Sequence, residues 1–97
     1  IMNNGVLGMV RQWQTLFFDK HYSNTTLERK TDFVKLAEAF GAEGGRASTT
    51  EELEKLAERA FACEGPFVID CAVDCDEFVL PMLPPEGSVD DIITEIK

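Results

Sequence analysis

Basic residues are scarce in this chain. Nine lysines and arginines stand against eighteen aspartates and glutamates, a formal net charge of −9 over 97 residues. A surface of that sign repels phosphate, which argues against nucleic acid and anionic membrane as partners. No apolar run reaches the roughly 20 residues that a membrane-spanning helix needs. Histidine occurs once, at His21, in a polar stretch where a surface role is the ordinary one. There is no Gly-x-Gly-x-x-Gly, no phosphate loop and no Ser/His/Asp signature, and no repeat or low-complexity segment. The cysteines are three: Cys63, Cys71 and Cys75. An odd set, with no signal-peptide pattern, points to a reducing compartment and a cytoplasmic location. Cys71 and Cys75 lack a second Cys/His pair beside them, which argues against zinc.

What is present suits a folded α/β chain. The hydrophobic fraction is 44%, and the length allows one domain at most. The chain is organised around its first stretch, Ile1-Met2-Asn3-Asn4-Gly5, followed by a helical pattern from Leu7 to Phe18. This is the outline of a strand ending at a binding edge, because ligands in open α/β sheets sit beyond the carboxyl ends of the strands. An Asn there can offer a hard carbonyl oxygen to a cation or bond a phosphate. It can equally be a strand-ending turn, since Asn and Gly tolerate left-handed backbone angles. Ile1 and Met2 read as the tail of a strand, so a part of a larger chain is expected.

In the first helix, Met9, Trp13, Leu16 and Phe17 share one face, and Leu7, Val10 and Phe18 cover part of the other side. A helix apolar on so many sides wants neighbours on more than one side, from other domains or another subunit. Residues 19–30 form a long polar connection. Thr31 or Asp32 caps a second helix whose Phe33, Leu36, Ala37 and Phe40 predict a buried stripe, ended by Gly41. A short strand is predicted over Gly44 to Ala47. Thr49 and Glu52 form a capping box for a third helix with the stripe Leu53, Leu56, Ala57, Ala60 and Phe61. The run from Phe67 to Val73 is the clearest strand, nearly continuous in apolar character as central strands are. An acidic turn follows at residues 74–77, read as surface charge, and then a proline-rich extended segment. Ser88 with Asp91 predicts a last cap, before an amphipathic stripe of Val89, Ile92, Ile93 and Ile96. Strands alternating with helices imply a parallel sheet flanked by helices.

Asn3-Asn4, Leu7-Gly8-Met9-Val10 and Gln12-Trp13 together resemble the catalytic subunit of acetolactate synthase. The resemblance continues in order through Tyr22-Ser23, residues 32–41, Gly65-Pro66 and Val79-Leu80-Pro81-Met82. It implies that residues 1–97 are the C-terminal part of a thiamine diphosphate-binding domain, a fragment of a longer chain. It also implies that Asn4 binds magnesium through its side-chain oxygen and Val6 through its backbone carbonyl. Asn3 and Asn4 then belong to the cofactor site, Asn3 supporting the turn. Met9 packs near the cofactor's reactive ring, and Trp13 lines the substrate pocket and helps choose the second 2-oxo acid. Leu7 departs from the family, where Gln or His is frequent.

The implied reaction decarboxylates pyruvate and condenses the product with pyruvate or 2-oxobutanoate, on the way to branched-chain amino acids. The activating glutamate of the family comes from another domain, so no residue here is catalytic and the 97 residues alone are expected to be inactive. FAD is possible through a domain absent here. Self-association as a homodimer or higher, and a regulatory small subunit, are the implied partners. Two alternatives stand beside this reading. One is a related thiamine diphosphate carboligase or oxidase. The other is a free-standing, non-catalytic α/β interaction domain.

Overall fold

The structure, a computed structural model, describes residues 1–28 and 30–96. It divides into two compact units. The first comprises Ile1–Gly5 and Leu27–Asp74, and the second Val6–Thr26 with the residues from Cys75 on.

The first unit is a three-stranded parallel sheet with two helices. The strands are β1 (Met2–Asn3), β2 (Glu43–Ala47) and β3 (Phe67–Ala72), in the order β1-β3-β2. The predicted central strand is therefore central. Arg46 lies opposite Asp70, and Met2 opposite Cys71. The two glycines of β2 explain how its helices sit. A Cβ on Gly44 would lie 3.4 Å from a Val34 methyl carbon, and one on Gly45 would run into Leu56. Neighbouring strand residues point to opposite faces. Helix α2 (Phe33–Ala39), which carries Val34, therefore covers one face. Helix α3 (Thr50–Ala62), which carries Leu56, covers the other.

Both helices start and stop as their residues dictate. The Asp32 carboxylate accepts the Lys35 N–H at 3.1 Å, and that bond is the main cause that holds its pKa below the usual carboxylate value. At the far end Gly41 takes φ +80°. Its N–H donates to the Glu38 carbonyl and that of Ala42 to the Ala37 carbonyl, which closes a Schellman turn. In α3 the Thr49 hydroxyl accepts the Glu52 N–H at 3.2 Å, while the Glu52 carboxylate reaches one residue beyond the cap, to the Ser48 N–H at 2.7 Å. Thr49→Ala is expected to cost about 1 kcal/mol, measured as a lowered thermal midpoint that Thr49→Ser largely restores.

The buried stripes are narrower than the spacing predicts. Ala37 and Leu56 are buried, but Phe40 is 84% and Phe61 91% exposed, and Leu36 and Leu53 are also exposed. Val34 and Leu56 lie close against the glycines of β2. The phenylalanines, at the C-terminal ends of their helices, lie outside that contact.

The second unit holds α1 (Gly8–Phe17) and the irregular C-terminal segment. Its most buried side chain is a glutamine: Gln12 is 1% exposed. The Gln12 amide donates to the Val79 carbonyl at 3.0 Å and accepts the Val79 N–H at 2.8 Å. It thereby completes the backbone bonding of an extended segment as a neighbouring strand would. Arg11 forms a two-pronged pair with Asp76, at 2.7 and 3.2 Å, and stacks over Tyr22 with 4.0 Å to the ring centre. Its hydrogen bonds hold the Asp76 carboxyl below the usual range. Thr25, in the polar connection, is buried and donates to Gln14 at 3.1 Å. That part of the connection is pinned further by an antiparallel bridge between Val6 and Thr26.

The predicted helix near the end is corrected. Ser88 and Asp91 do form a capping box, but it closes only a single 3₁₀ turn at Val89–Asp91. Ile93 then exchanges both backbone bonds with Met82, at 2.8 and 2.9 Å, so its backbone is committed to a bridge and cannot continue a helix. Among the described residues, no helix is long and apolar enough to cross a membrane.

Candidate cofactor-binding site

The first unit places Asn3 and Asn4 where β1 leaves the sheet at its carboxyl edge. Asn3 keeps the extended conformation and its side chain works in two directions. The amide nitrogen donates to Asp70 Oδ1 at 3.0 Å, and the amide oxygen accepts the Gly5 N–H at 3.3 Å. The second bond is an Asx turn, which reverses the chain within two residues. Gly5 takes φ +66°, and a Cβ there would meet nothing within 4 Å, so glycine is required by the backbone angle and not by crowding. The Gly5 carbonyl accepts the Leu27 N–H at 2.9 Å, which ties down the far side of the turn. A small recess of about 60 Å³ opens beside it, lined by Asn3, Gly5, Leu27, Thr31 and Phe33. Asn4, half-buried, sits at the apex of this turn.

Asp70 is the buried anchor of the edge, at 1% exposure. Its second oxygen accepts the Arg46 Nε–H at 3.0 Å, and Arg46 Nη2 lies 3.6 Å from Asp32. All three strands thus meet at one carboxylate. In the sequence Asp70 is one member of a nearly continuous apolar run. A charged residue inside a run otherwise fit for a central strand was the available signal, because a buried carboxylate needs partners.

In the second unit Val6 is buried, while Met9 and Trp13 lie one turn apart on the same face of α1. That face is open. Met9, Trp13 and Phe17 are each about two-fifths exposed, Trp13 at 44%, and Val10 and Phe18 join them. The polar residues Arg11, Gln12, Gln14 and Thr15 make the internal contacts instead. An exposed apolar patch of this kind marks a surface that binds something. An open cleft of about 440 Å³ runs along it, lined by Val10, Trp13, Gln14, Phe17, Phe18 and His21 among others. Met9 is not among its lining residues. His21 is exposed, and its Nδ1 hydrogen-bonds the Phe18 carbonyl at 2.9 Å.

The donor chemistry of the Asn-rich turn suits a hard divalent cation, which takes neutral carboxamide and carbonyl oxygens along with phosphate oxygens. A glycine-bent turn at the carboxyl edge of a parallel sheet is also where an α/β fold binds a phosphorylated ligand.

Residues 1–71 match the family described as thiamine pyrophosphate enzyme, C-terminal TPP binding domain, and the chain belongs to that family. Among individual proteins it is similar to the acetolactate synthase isozyme 2 large subunit of Escherichia coli strain K12. The two are 36% identical over 96 residues, which is 99% of this chain and 18% of that protein. It is 45% identical over 97 aligned residues to the acetolactate synthase of Mycobacterium leprae, covering 95% of this chain and 16% of that protein. With the mitochondrial acetolactate synthase catalytic subunit of Saccharomyces cerevisiae it shares 40% identity over 93 residues, 96% of this chain and 13% of that protein. The chain thus spans between 13% and 18% of the length of these three relatives.

Proposed function

We propose that this chain is the closing part of the thiamine diphosphate-binding domain of an acetolactate synthase large subunit. The longer protein decarboxylates pyruvate and condenses the product with a second 2-oxo acid, pyruvate or 2-oxobutanoate. The observation that carries the reading is the family match over residues 1–71, which includes the Asn3-Asn4-Gly5 turn. Likeness to acetolactate synthases over nearly the whole chain favours this reaction over that of another thiamine diphosphate enzyme.

In this reading Asn4 holds Mg²⁺ through its side-chain oxygen and Val6 through its backbone carbonyl. Both are oxygen donors of the kind that Mg²⁺ prefers and shares with diphosphate. Asn3 props the turn from behind. Thiamine diphosphate, when bound, supplies the electron sink that lets a 2-oxo acid lose carbon dioxide. The residues of this chain orient and shield. Met9 packs beside the reactive ring, and Trp13 forms an apolar wall of the pocket that receives the second 2-oxo acid and keeps water out. FAD, where present, sits on a domain outside this chain. The open face of α1 is covered in the whole protein, which assembles as a homodimer or larger and accepts a regulatory small subunit. A cytoplasmic location agrees with three unpaired cysteines.

Competition between the two acceptors tests the reading. With pyruvate and 2-oxobutanoate supplied together, the full-length protein is expected to form 2-acetolactate and 2-aceto-2-hydroxybutyrate. Trp13→Leu is expected to shift the product ratio toward 2-acetolactate by about tenfold, since one methylene in a shaped apolar pocket discriminates by about 1–3 kcal/mol. A wild-type protein that forms neither product contradicts the function. An unchanged ratio in the variant contradicts the role of Trp13.

A further inference from the structure

Asp70 has no part in the reaction as read above, yet it is the most deeply buried acid among the described residues and its contacts run straight to the Asn-rich turn. We propose that Asp70 is a positioning residue: it fixes the orientation of the Asn3 amide and so the direction in which Asn4 leaves the sheet. The inference rests on the reading that Asn4 holds the metal.

An ionised carboxylate only accepts hydrogen bonds, whereas an Asn amide presents two donors on one side and an acceptor on the other. Facing Asp70 Oδ1 at 3.0 Å, Asn3 must turn its NH₂ toward the sheet. Its oxygen is thereby left for the turn, where the Gly5 N–H donates to it. The opposite flip would set oxygen against oxygen and nitrogen against nitrogen, and both bonds would fail. Arg46 holds the other oxygen of Asp70 at 3.0 Å and keeps the carboxylate aimed. Arg46 is itself steadied by Asp32, at the cap of α2. A chain of polar contacts thus runs from a helix cap through the sheet to the residue that precedes the proposed metal ligand. Partners one step behind a metal ligand commonly set its geometry, and their loss costs about 10–100-fold in metal affinity.

The test is a calorimetric titration of thiamine diphosphate into the full-length protein at several Mg²⁺ concentrations, well below the unfolding temperature. Asp70→Asn is expected to weaken Mg²⁺-dependent binding about tenfold. Asn3→Ala should do the same, and the double variant should be no weaker than Asn3→Ala alone, because the two act as one unit. A merely structural Asp70 would lower the thermal midpoint and leave affinity unchanged; that result, or effects of the two substitutions that multiply, overturns the proposal. If Asp70→Asn does not fold, Asn3→Ala decides, since it leaves the Asp70–Arg46 pair in place. A tenfold loss then supports the proposal and wild-type affinity overturns it. Asn4→Ala separates the two layers. If Asn4→Ala loses Mg²⁺-dependent binding and Asp70→Asn keeps it, only the inference about Asp70 fails. If the wild type shows no Mg²⁺ dependence, or Asn4→Ala retains it, the metal reading fails and the role of Asp70 falls with it.

Discussion

Asn4→Ala is expected to abolish Mg²⁺-dependent binding of thiamine diphosphate by the full-length protein, a loss of more than about 100-fold. Substitutions one step behind a metal ligand cost 10–100-fold, and this one removes a proposed ligand itself. Mg²⁺ demands near-octahedral oxygen coordination and dehydrates reluctantly. The turn is held in place by the bonds of Gly5 to Asn3 and Leu27, so a missing side-chain oxygen leaves a gap in that shell. Val6→Ala is the matching control. Val6 is proposed to act through its backbone carbonyl, so shortening its side chain should leave the affinity near that of the wild type while lowering stability, because the side chain is buried. Equilibrium titration with and without Mg²⁺ checks both. Retained affinity in Asn4→Ala, or a loss in Val6→Ala as large as in Asn4→Ala, contradicts the assignment.

The second large effect concerns folding. Gln12→Ala is expected to destabilise by about 2–3 kcal/mol, from the partners it strands and the space it vacates. The Gln12 side chain bonds both the C=O and the N–H of Val79. Gln12→Leu fills much of the space but offers neither donor nor acceptor, so it should be nearly as harmful. Hydrogen exchange reads the effect locally: the Val79 amide should exchange at least tenfold faster in both variants, since about 1.4 kcal/mol corresponds to a factor of ten. Should Gln12→Leu match the wild type, packing and not hydrogen bonding holds this segment.

Much of this architecture was legible in the residues. Asp32 and Thr49 cap helices because their oxygens suit the first free N–H groups, and Gly41 ends α2 because the left-handed angle favours glycine. The alternation of strands and helices gave the parallel sheet, and the apolar run from Phe67 gave its centre. Three features escaped. Phe40 and Phe61 fit the helical spacing of a buried stripe, but periodicity cannot tell how wide a contact the glycines of β2 permit. The stripe of Val89, Ile92, Ile93 and Ile96 reads as a helix, and the distant Met82 draws Ile93 into a bridge. Gln12 looks like an ordinary surface residue on the polar side of its helix, with Arg11, Gln14 and Thr15. The helix lies the other way round, with its polar side at work inside the unit and its apolar side open. For the site, the Asn-Asn-Gly turn was visible as residues with two meanings. The contact of Asn3 with Asp70, 67 positions away, lies beyond any local pattern.

The central claim is that the full-length protein uses thiamine diphosphate and a divalent metal to join two 2-oxo acids. The most direct measurement is formation of 2-acetolactate from pyruvate alone, followed with thiamine diphosphate and Mg²⁺ present and again after chelation of the metal. The account predicts steady product formation that stops on chelation and returns when Mg²⁺ is restored. Pyruvate left unconsumed in the complete mixture, or product formed equally well without metal, would contradict it.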